Sequence, residues 1–342
     1  MIGPERLAAG ERAEVTGDFI AAAAAFRAVT GVPDKALAAR AYFCLGRVSW
    51  RQSRFDASLE AFESALALSS DLDDRELTAR VQNGMGAVYY ARGDYDSARR
   101  HYATSLEGTR DDSLRGMIVL NLGVIENIES RFEAARKRYE EAYELCLRSG
   151  NDAGATLALH NRGMVEADLG LWDEANASFT AALALATEAG NREMIAKTLV
   201  NQSEVHVECE RFAEAVDHCD RALEIYAVVG DEVGRGEALR WKAQGLGGLG
   251  EYVAAERSAS EALHIAMRCG ARLLEAESSR DVGVLRGLLG DRAGGVKQLQ
   301  RALVLFNELE ATKEASEVAA LLMRPTPARS IARIPDLSAT TD

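Results

Sequence analysis

Two glutamates and a histidine recur at one spacing and are the first candidates for catalysis. Glu126 and Glu166 are forty residues apart, and His206 follows after another forty. Two carboxylates at one site can supply a general acid and a general base. However, Arg162 lies four residues before Glu166, a spacing at which two side chains meet on a helix. The pattern therefore favours a structural polar network, and we predict no catalytic residue and a protein that is not an enzyme.

One glycine-rich string matches a cofactor-binding motif by its letters alone. Residues 245–250, GLGGLG, fit GxGxxG, which binds a dinucleotide only where a strand precedes it and a helix follows it. Here the string lies inside a predicted helix and its closing turn. The five cysteines are scattered, and none forms a CxxC pair or a Cys/His set with metal-ligand spacing. We therefore predict no cofactor, no metal and reduced thiols.

Asparagine recurs at the same forty-residue spacing, as Asn121, Asn161 and Asn201. Asn83, further upstream, lies one position out of this register, and His160 lies beside the column. An amide side chain is both a hydrogen-bond donor and an acceptor. A column of amides can therefore bind successive peptide groups of an extended chain, whatever its side chains. The alternative, that the amides bond only to neighbouring helices, stays open.

Two arginines and a tryptophan form a second candidate binding region. Arg240 and Arg280 are forty residues apart, with Trp241 beside the first. The forked guanidinium group suits an acidic or aromatic partner group. Glu237 and Glu277 precede the two arginines by three residues each, so they can form ion pairs along the helix, and the sequence favours that interpretation.

Two large aromatic residues form a third region. Trp50 and Tyr90 are also forty residues apart. Tryptophan and tyrosine are frequent anchors at protein interfaces. We predict an aromatic patch at these positions.

The elements that position these residues follow from a repeat of about forty residues. A small residue begins the pattern in eight places, which we call the anchors: Gly10, Gly46, Gly86, Gly123, Gly163, Ser203, Ala243 and Gly283. An aromatic residue follows nine positions later in the first seven copies, and mostly small residues follow after twelve and nineteen. A period of this length is typical of a solenoid of stacked units with one continuous core. Alanine supplies much of the apolar content, which favours packed helices and an all-α fold.

Each unit is predicted to contain two helices. In the fifth, residues 155–169 form the first helix, Gly170 ends it, and residues 173–189 form the second. The second helices of units four to seven each stop at a glycine: Gly150, Gly190, Gly230 and Gly270. Residues 312–323 form a final capping helix, so the repeat domain spans 1–323. The proline-containing segment 324–342 is predicted to be a disordered tail.

Taken together, these offsets resemble the tetratricopeptide repeat (TPR) over residues 3 to about 310. The long units resemble those of kinesin light chains, LGN-type polarity adaptors, and bacterial Rap-like and MalT-like regulators. The resemblance implies a right-handed α-α superhelix whose concave side is formed by the first helices. On each first helix, the positions six, three and two before the anchor, and one and four after it, form a stripe that we call the first-helix face. The asparagine column on it resembles the asparagine ladders of peptide-binding TPR proteins, whereas the dicarboxylate clamp of chaperone-binding TPRs is absent.

Net charge narrows the choice of partner and compartment. The chain has 40 basic and 53 acidic residues, a net charge of −13. This balance disfavours nucleic acid and anionic membranes as partners. Residues 1–14 lack the apolar core of a signal peptide, and no apolar run approaches the roughly 18 residues of a membrane span. We predict a cytoplasmic protein, bacterial in its preference for arginine and alanine, and leave its oligomeric state open.

These observations favour a non-catalytic adaptor or scaffold that binds a partner protein or peptide in its concave groove. The alternative is a regulatory protein that senses a peptide or other ligand and controls a signalling or transcription partner. Ten residues are predicted to contact the partner: Asn83, Asn121, Asn161, Asn201, His160, Trp50, Tyr90, Arg240, Trp241 and Arg280.

Overall fold

The structure, a computed structural model, describes residues 2–323 and is built from α-helices. Within that range there are seventeen helices and no strand: α1 Ile2–Val15, α2 Phe19–Thr30, α3 Lys35–Arg51, α4 Phe55–Asp71, α5 Arg75–Ala91, α6 Tyr95–Gly108, α7 Asp112–Ile128, α8 Phe132–Arg148, α9 Asp152–Asp168, α10 Trp172–Glu188, α11 Arg192–Glu208, α12 Phe212–Val229, α13 Glu232–Gly248, α14 Tyr252–Cys269, α15 Arg272–Leu288, α16 Arg292–Glu308 and α17 Thr312–Met323. The all-α prediction is confirmed. The predicted tail, 324–342, lies outside the described residues.

The helices divide into two compact units, Met1–Ala158 and Leu159–Asp342. In the first unit each odd-numbered helix packs against the even-numbered helix after it, and α1, α3 and α5 also contact one another in order. The second unit repeats this arrangement, with α11, α13 and α15 in contact. Odd-numbered helices are therefore the first helices of their repeats, and within each unit their exposed stripes lie on neighbouring elements.

Glycines and helix-capping side chains form the turns between the helices. Gly150 and Gly170 have φ angles of 69° and 71°, in the left-handed region that glycine adopts without a Cβ clash. Asn191 and Asp231 follow two of the other predicted glycine stops. Their side chains accept hydrogen bonds from the amides of Met194 and Gly234, which caps α11 and α13.

Most anchor glycines are small because an aromatic ring covers them, whereas Leu299 takes this place over Gly283. A Cβ added to Gly163 would lie 2.8 Å from the Phe179 ring, and one added to Gly46 would lie 2.6 Å from the Phe62 ring. Each ring comes sixteen residues after its anchor, and both are essentially fully buried. The repeat pattern rests on the partly buried aromatics nine residues after the anchors and does not include this second series.

Gly163→Ala is expected to lower the free energy of unfolding by about 1–3 kcal/mol, because the new methyl group overpacks the Phe179 ring. Gly287→Ala is the matched control, since it also lies within a first helix but has no heavy atom within 4 Å of the new methyl group. Alanine there should leave stability unchanged or raise it by up to about 1 kcal/mol. Urea denaturation of both variants measures the difference, and equal stabilities would show that the ring moves aside without cost.

Candidate functional site

In the second unit, one of the two asparagines of the ladder is held by a histidine. Asn201 on α11 and Asn161 on α9 are both half-buried. The Nδ2 of Asn201 lies 3.3 Å from the Nε2 of His160, and the Nδ1 of His160 lies 3.1 Å from the Oγ1 of Thr198. Among the described residues, none makes such a contact with Asn161. The two amides thus differ in how firmly they are oriented.

His160 itself is a buried, neutral residue. Only 6% of its surface is exposed, and its ring meets the Phe179 ring edge-on at 5.7 Å. Burial, with a smaller contribution from the charge of Lys197, lowers the pKa of His160 to about 4. The imidazole is therefore uncharged at neutral pH. His160 occupies the position three before the anchor Gly163, so it belongs to the first-helix face, but little of its side chain is exposed there.

Further along the same unit, Arg240 packs against an aromatic ring and forms an ion pair. It is 7% exposed, and its guanidinium lies 4.2 Å from the centre of the Trp241 ring. Its Nε lies 3.4 Å from the Oε2 of Glu277 in the next repeat. The sequence predicts Glu237, on the same helix, as the partner. The ion pair instead joins α13 to α15, because neighbouring first helices contact each other directly.

Arg280 binds a buried aspartate, Asp281, that is not among the predicted site residues. Asp281 has no exposed surface, and its carboxylate accepts hydrogen bonds from Arg280 Nε and Gln244 Nε2, each at 3.1 Å. Burial would lower the pKa of Arg280, but the charges of Asp281 and Glu277 outweigh it and raise this pKa above its ordinary value. The sequence does contain a signal for Asp281. It lies two residues before the anchor Gly283, the same position that Asn201 occupies relative to the anchor Ser203.

Carboxylates offset the positive charge of this cluster. Arg240 and Arg280 carry two positive charges, and Glu277 and Asp281 carry two negative charges within ion-pair distance of them. The charge of Arg240 also acts on Glu237, and the charge of Glu317 acts on Arg280. The two arginines therefore give no net attraction for an acidic ligand.

In the first unit, the candidate residues lie on α3, α5 and α7. Trp50 is 38% exposed, and Tyr90 is half-buried with its ring 5.9 Å from that of Tyr95. Asn121 and Asn83 are also half-buried, and the Oδ1 of Asn83 is enclosed without a hydrogen-bond partner. An enclosed amide oxygen without a donor is costly, so Asn83 carries an unsatisfied buried acceptor.

The acidic residues considered for catalysis are held in ion pairs. Glu166 is 4% exposed, lies 3.5 Å from the guanidinium of Arg162, and accepts a hydrogen bond from Ser178. Glu126 pairs with Arg131. Neither carboxylate is placed as a free acid or base. Within residues 2–323 no group of three His, Cys, Asp or Glu side chains is arranged to hold a metal ion.

The family match decides what this helical array is. The tetratricopeptide repeat family matches residues 37–111, 116–188 and 154–227, together more than half of the chain. The chain belongs to the tetratricopeptide repeat family. This confirms the resemblance drawn from the anchors and their offsets, and the first-helix face is that of a TPR protein.

Solved structures show the same fold. This TPR protein is similar to a STAND signal-transduction ATPase with a TPR sensor from Pyrococcus horikoshii (TM-score 0.71, 12% identity, 89% of this chain) and spans 48% of that protein. It is also similar to the apo quorum sensor NprR from B. thuringiensis (TM-score 0.61, 13% identity, 94% of this chain and 97% of that one). A Rap protein complexed with competence and sporulation factor matches comparably (TM-score 0.59, 13% identity, 94% and 96%). At these identities the likeness establishes the fold.

Two further comparisons give negative results. No curated protein is significantly similar in sequence to this TPR protein. None of its helices in the described range is long and apolar enough to cross a membrane.

Proposed function

We propose that this TPR protein is a non-catalytic adaptor that binds an extended segment of a partner polypeptide on the first-helix face of its second unit. The observation that carries the proposal is the pair Asn161 and Asn201, half-buried at equivalent positions of consecutive repeats. Each retains hydrogen-bonding groups for a ligand, and amides bind peptide groups without depending on the ligand's side chains.

The rest of the face supports a polypeptide ligand. Met164, beside Asn161, is 40% exposed and gives an apolar contact. Trp241 is half-buried and backed by Arg240, so one aromatic surface is held in a fixed place. The face combines neutral amides, a cluster of paired charges and apolar groups, and the net charge of −13 opposes a nucleic-acid partner.

The test compares wild type with the double variant Asn161→Ala/Asn201→Ala in affinity purification from the native cell, followed by measurement of the captured partner's Kd. Two lost amide interactions of about 0.5–1.5 kcal/mol each predict roughly a 5- to 150-fold loss of affinity. Asn307→Ala is the control, because Asn307 is an exposed asparagine on the second helix α16. A partner held equally by all three proteins would overturn the proposal.

A second candidate function is regulation by a bound peptide. It is supported by full-length likeness to the Rap protein that was solved with competence and sporulation factor and to the quorum sensor NprR. In that case binding of the captured peptide should change the radius of gyration in solution scattering. An unchanged radius would leave the rigid adaptor as the better description.

A further inference from the structure

Thr198, His160 and Asn201 form a continuous chain of hydrogen bonds across two consecutive first helices. The chain begins at Thr198 Oγ1 on α11, passes through both ring nitrogens of His160 on α9, and returns to Asn201 Nδ2 on α11. Thr198 has no exposed surface and His160 has 6%, whereas Asn201 is half-buried at the surface. The chain therefore runs from the core to the first-helix face.

The direction of each bond follows from donor and acceptor chemistry. The Nδ2 of an asparagine can only donate, so the Nε2 of His160 must accept with its lone pair. A neutral imidazole with an unprotonated Nε2 carries its hydrogen on Nδ1, and this N–H donates to the oxygen of Thr198. Lys197 is the charged group that acts on the ring, and its positive charge opposes a second proton.

We propose that His160 is a positioning residue that holds Asn201 in one amide orientation, through the tautomer that carries its hydrogen on Nδ1. One N–H of Asn201 is occupied by the histidine. The Oδ1 and the other N–H stay available, a donor and an acceptor side by side, which is the pair that one peptide group of a ligand requires. The use of this pair by a ligand rests on the proposed function, but the tautomer and the fixed amide do not.

A fixed amide should contribute more to binding than a free one. Asn161 has no corresponding support, so a ligand must immobilise it on binding, whereas Asn201 is already ordered. Ordering one side chain is worth about a threefold to tenfold change in affinity. We therefore expect Asn201→Ala to weaken partner binding about threefold to tenfold more than Asn161→Ala.

The decisive measurement is made on the free protein. Long-range ¹H–¹⁵N correlation spectra of ¹⁵N-histidine-labelled protein at pH 7.5 report which ring nitrogen of each histidine carries hydrogen. The His160 signals are assigned by their loss in His160→Gln. A hydrogen on Nδ1 is the expected result; a hydrogen on Nε2, or rapid averaging between the two, would overturn the proposal. Because no ligand is present, this result is independent of the partner-binding test.

Two variants separate positioning from simple space filling. His160→Phe keeps an aromatic ring but removes both hydrogen bonds, whereas His160→Gln keeps an acceptor for Asn201 and a donor for Thr198. In His160→Phe the side-chain amide protons of Asn201 should exchange with water about tenfold faster than in wild type, with His160→Gln intermediate or unchanged. The Asn161 amide serves as the internal control. Equal Asn201 exchange in wild type and His160→Phe would contradict the proposal, and if His160→Phe does not fold, the tautomer measurement decides.

Discussion

Asp281→Ala is expected to lower the free energy of unfolding by about 3–5 kcal/mol, because it leaves buried positive charge without its partner. The Asp281 carboxylate is fully buried and accepts hydrogen bonds from Arg280 and Gln244. The Nη1 of Arg240 lies 3.9 Å from the same carboxylate. Truncation removes the acceptor of Arg280 and Gln244 and one of the two carboxylates that pair with Arg240, and water cannot easily replace it at a site without exposed surface.

The matched control for this prediction is Asp217→Ala. Asp217 pairs with Arg221 at 3.8 Å on the surface of α12, where its side chain is 67% exposed. An exposed pair of this spacing contributes about 0.3–0.5 kcal/mol. Hydrogen exchange measured alongside urea denaturation is the suitable readout, because a repeat array can open locally around α13 and α15. Similar losses in the two variants would show that Asp281 is not the centre of a buried network.

The positions of the helices could be predicted from the sequence because their signals are local. A glycine that must adopt positive φ, such as Gly150 or Gly170, marks a helix end whatever lies around it. The anchors were equally visible, because their small size is repeated in every unit. The residue that covers each anchor is harder to predict, because its type varies. Phe179 covers Gly163 and Leu299 covers Gly283, but after Ser203 and Ala243 the same position holds Cys219 and Ala259. A larger anchor is accompanied by a smaller residue at the covering position, so the two residue types vary together.

The candidate site could be predicted only in part, because its contacts join different helices. The sequence placed Asn161 and Asn201 on one stripe of the first helices. Both residues are half-buried, which is consistent with that placement. It paired Arg240 with Glu237 because three residues along a helix is a known contact distance. The observed pair with Glu277 depends instead on how closely α13 approaches α15. The spacing of residues along one helix carries no information about the distance between two helices. The bond between His160 and Asn201 is an amide contact with a neighbouring helix, the alternative that the sequence left open, and its partner could not be named for the same reason.

These cross-helix contacts share a physical role. Burial strengthens a hydrogen bond or ion pair and also makes its loss expensive, so each contact fixes the relative positions of two first helices. Asp281 does this through charge, between α13 and α15. His160 does it through a neutral ring, between α9 and α11. A binding face made of separate helices needs such links if its ligand is to meet preformed groups rather than mobile ones.

Acidification is expected to destabilise the protein through its buried histidines. Burial is the main reason that the pKa of His206 is lowered to about 4, with further contributions from the nearby His218 and Arg211 opposed by Glu214. His160 has a pKa of about 4 for a similar reason. In the unfolded chain both should titrate near 6.5. Between about pH 6.5 and 4 the unfolded chain binds more protons than the folded protein, so stability is complete above about 6.5 and falls as the pH drops toward 4.

Each of these histidines should lower the free energy of unfolding by about 2 kcal/mol at pH 5 relative to pH 8. The two together should lower it by about 4 kcal/mol. Urea denaturation at the two pH values measures this loss. His206→Gln removes one titrating group, so its difference between pH 8 and pH 5 should be about 2 kcal/mol smaller than that of wild type. His264→Gln, at an exposed position on α14, is the control and should keep the wild-type difference. If His206→Gln also keeps the full difference, His206 does not contribute to the acid sensitivity.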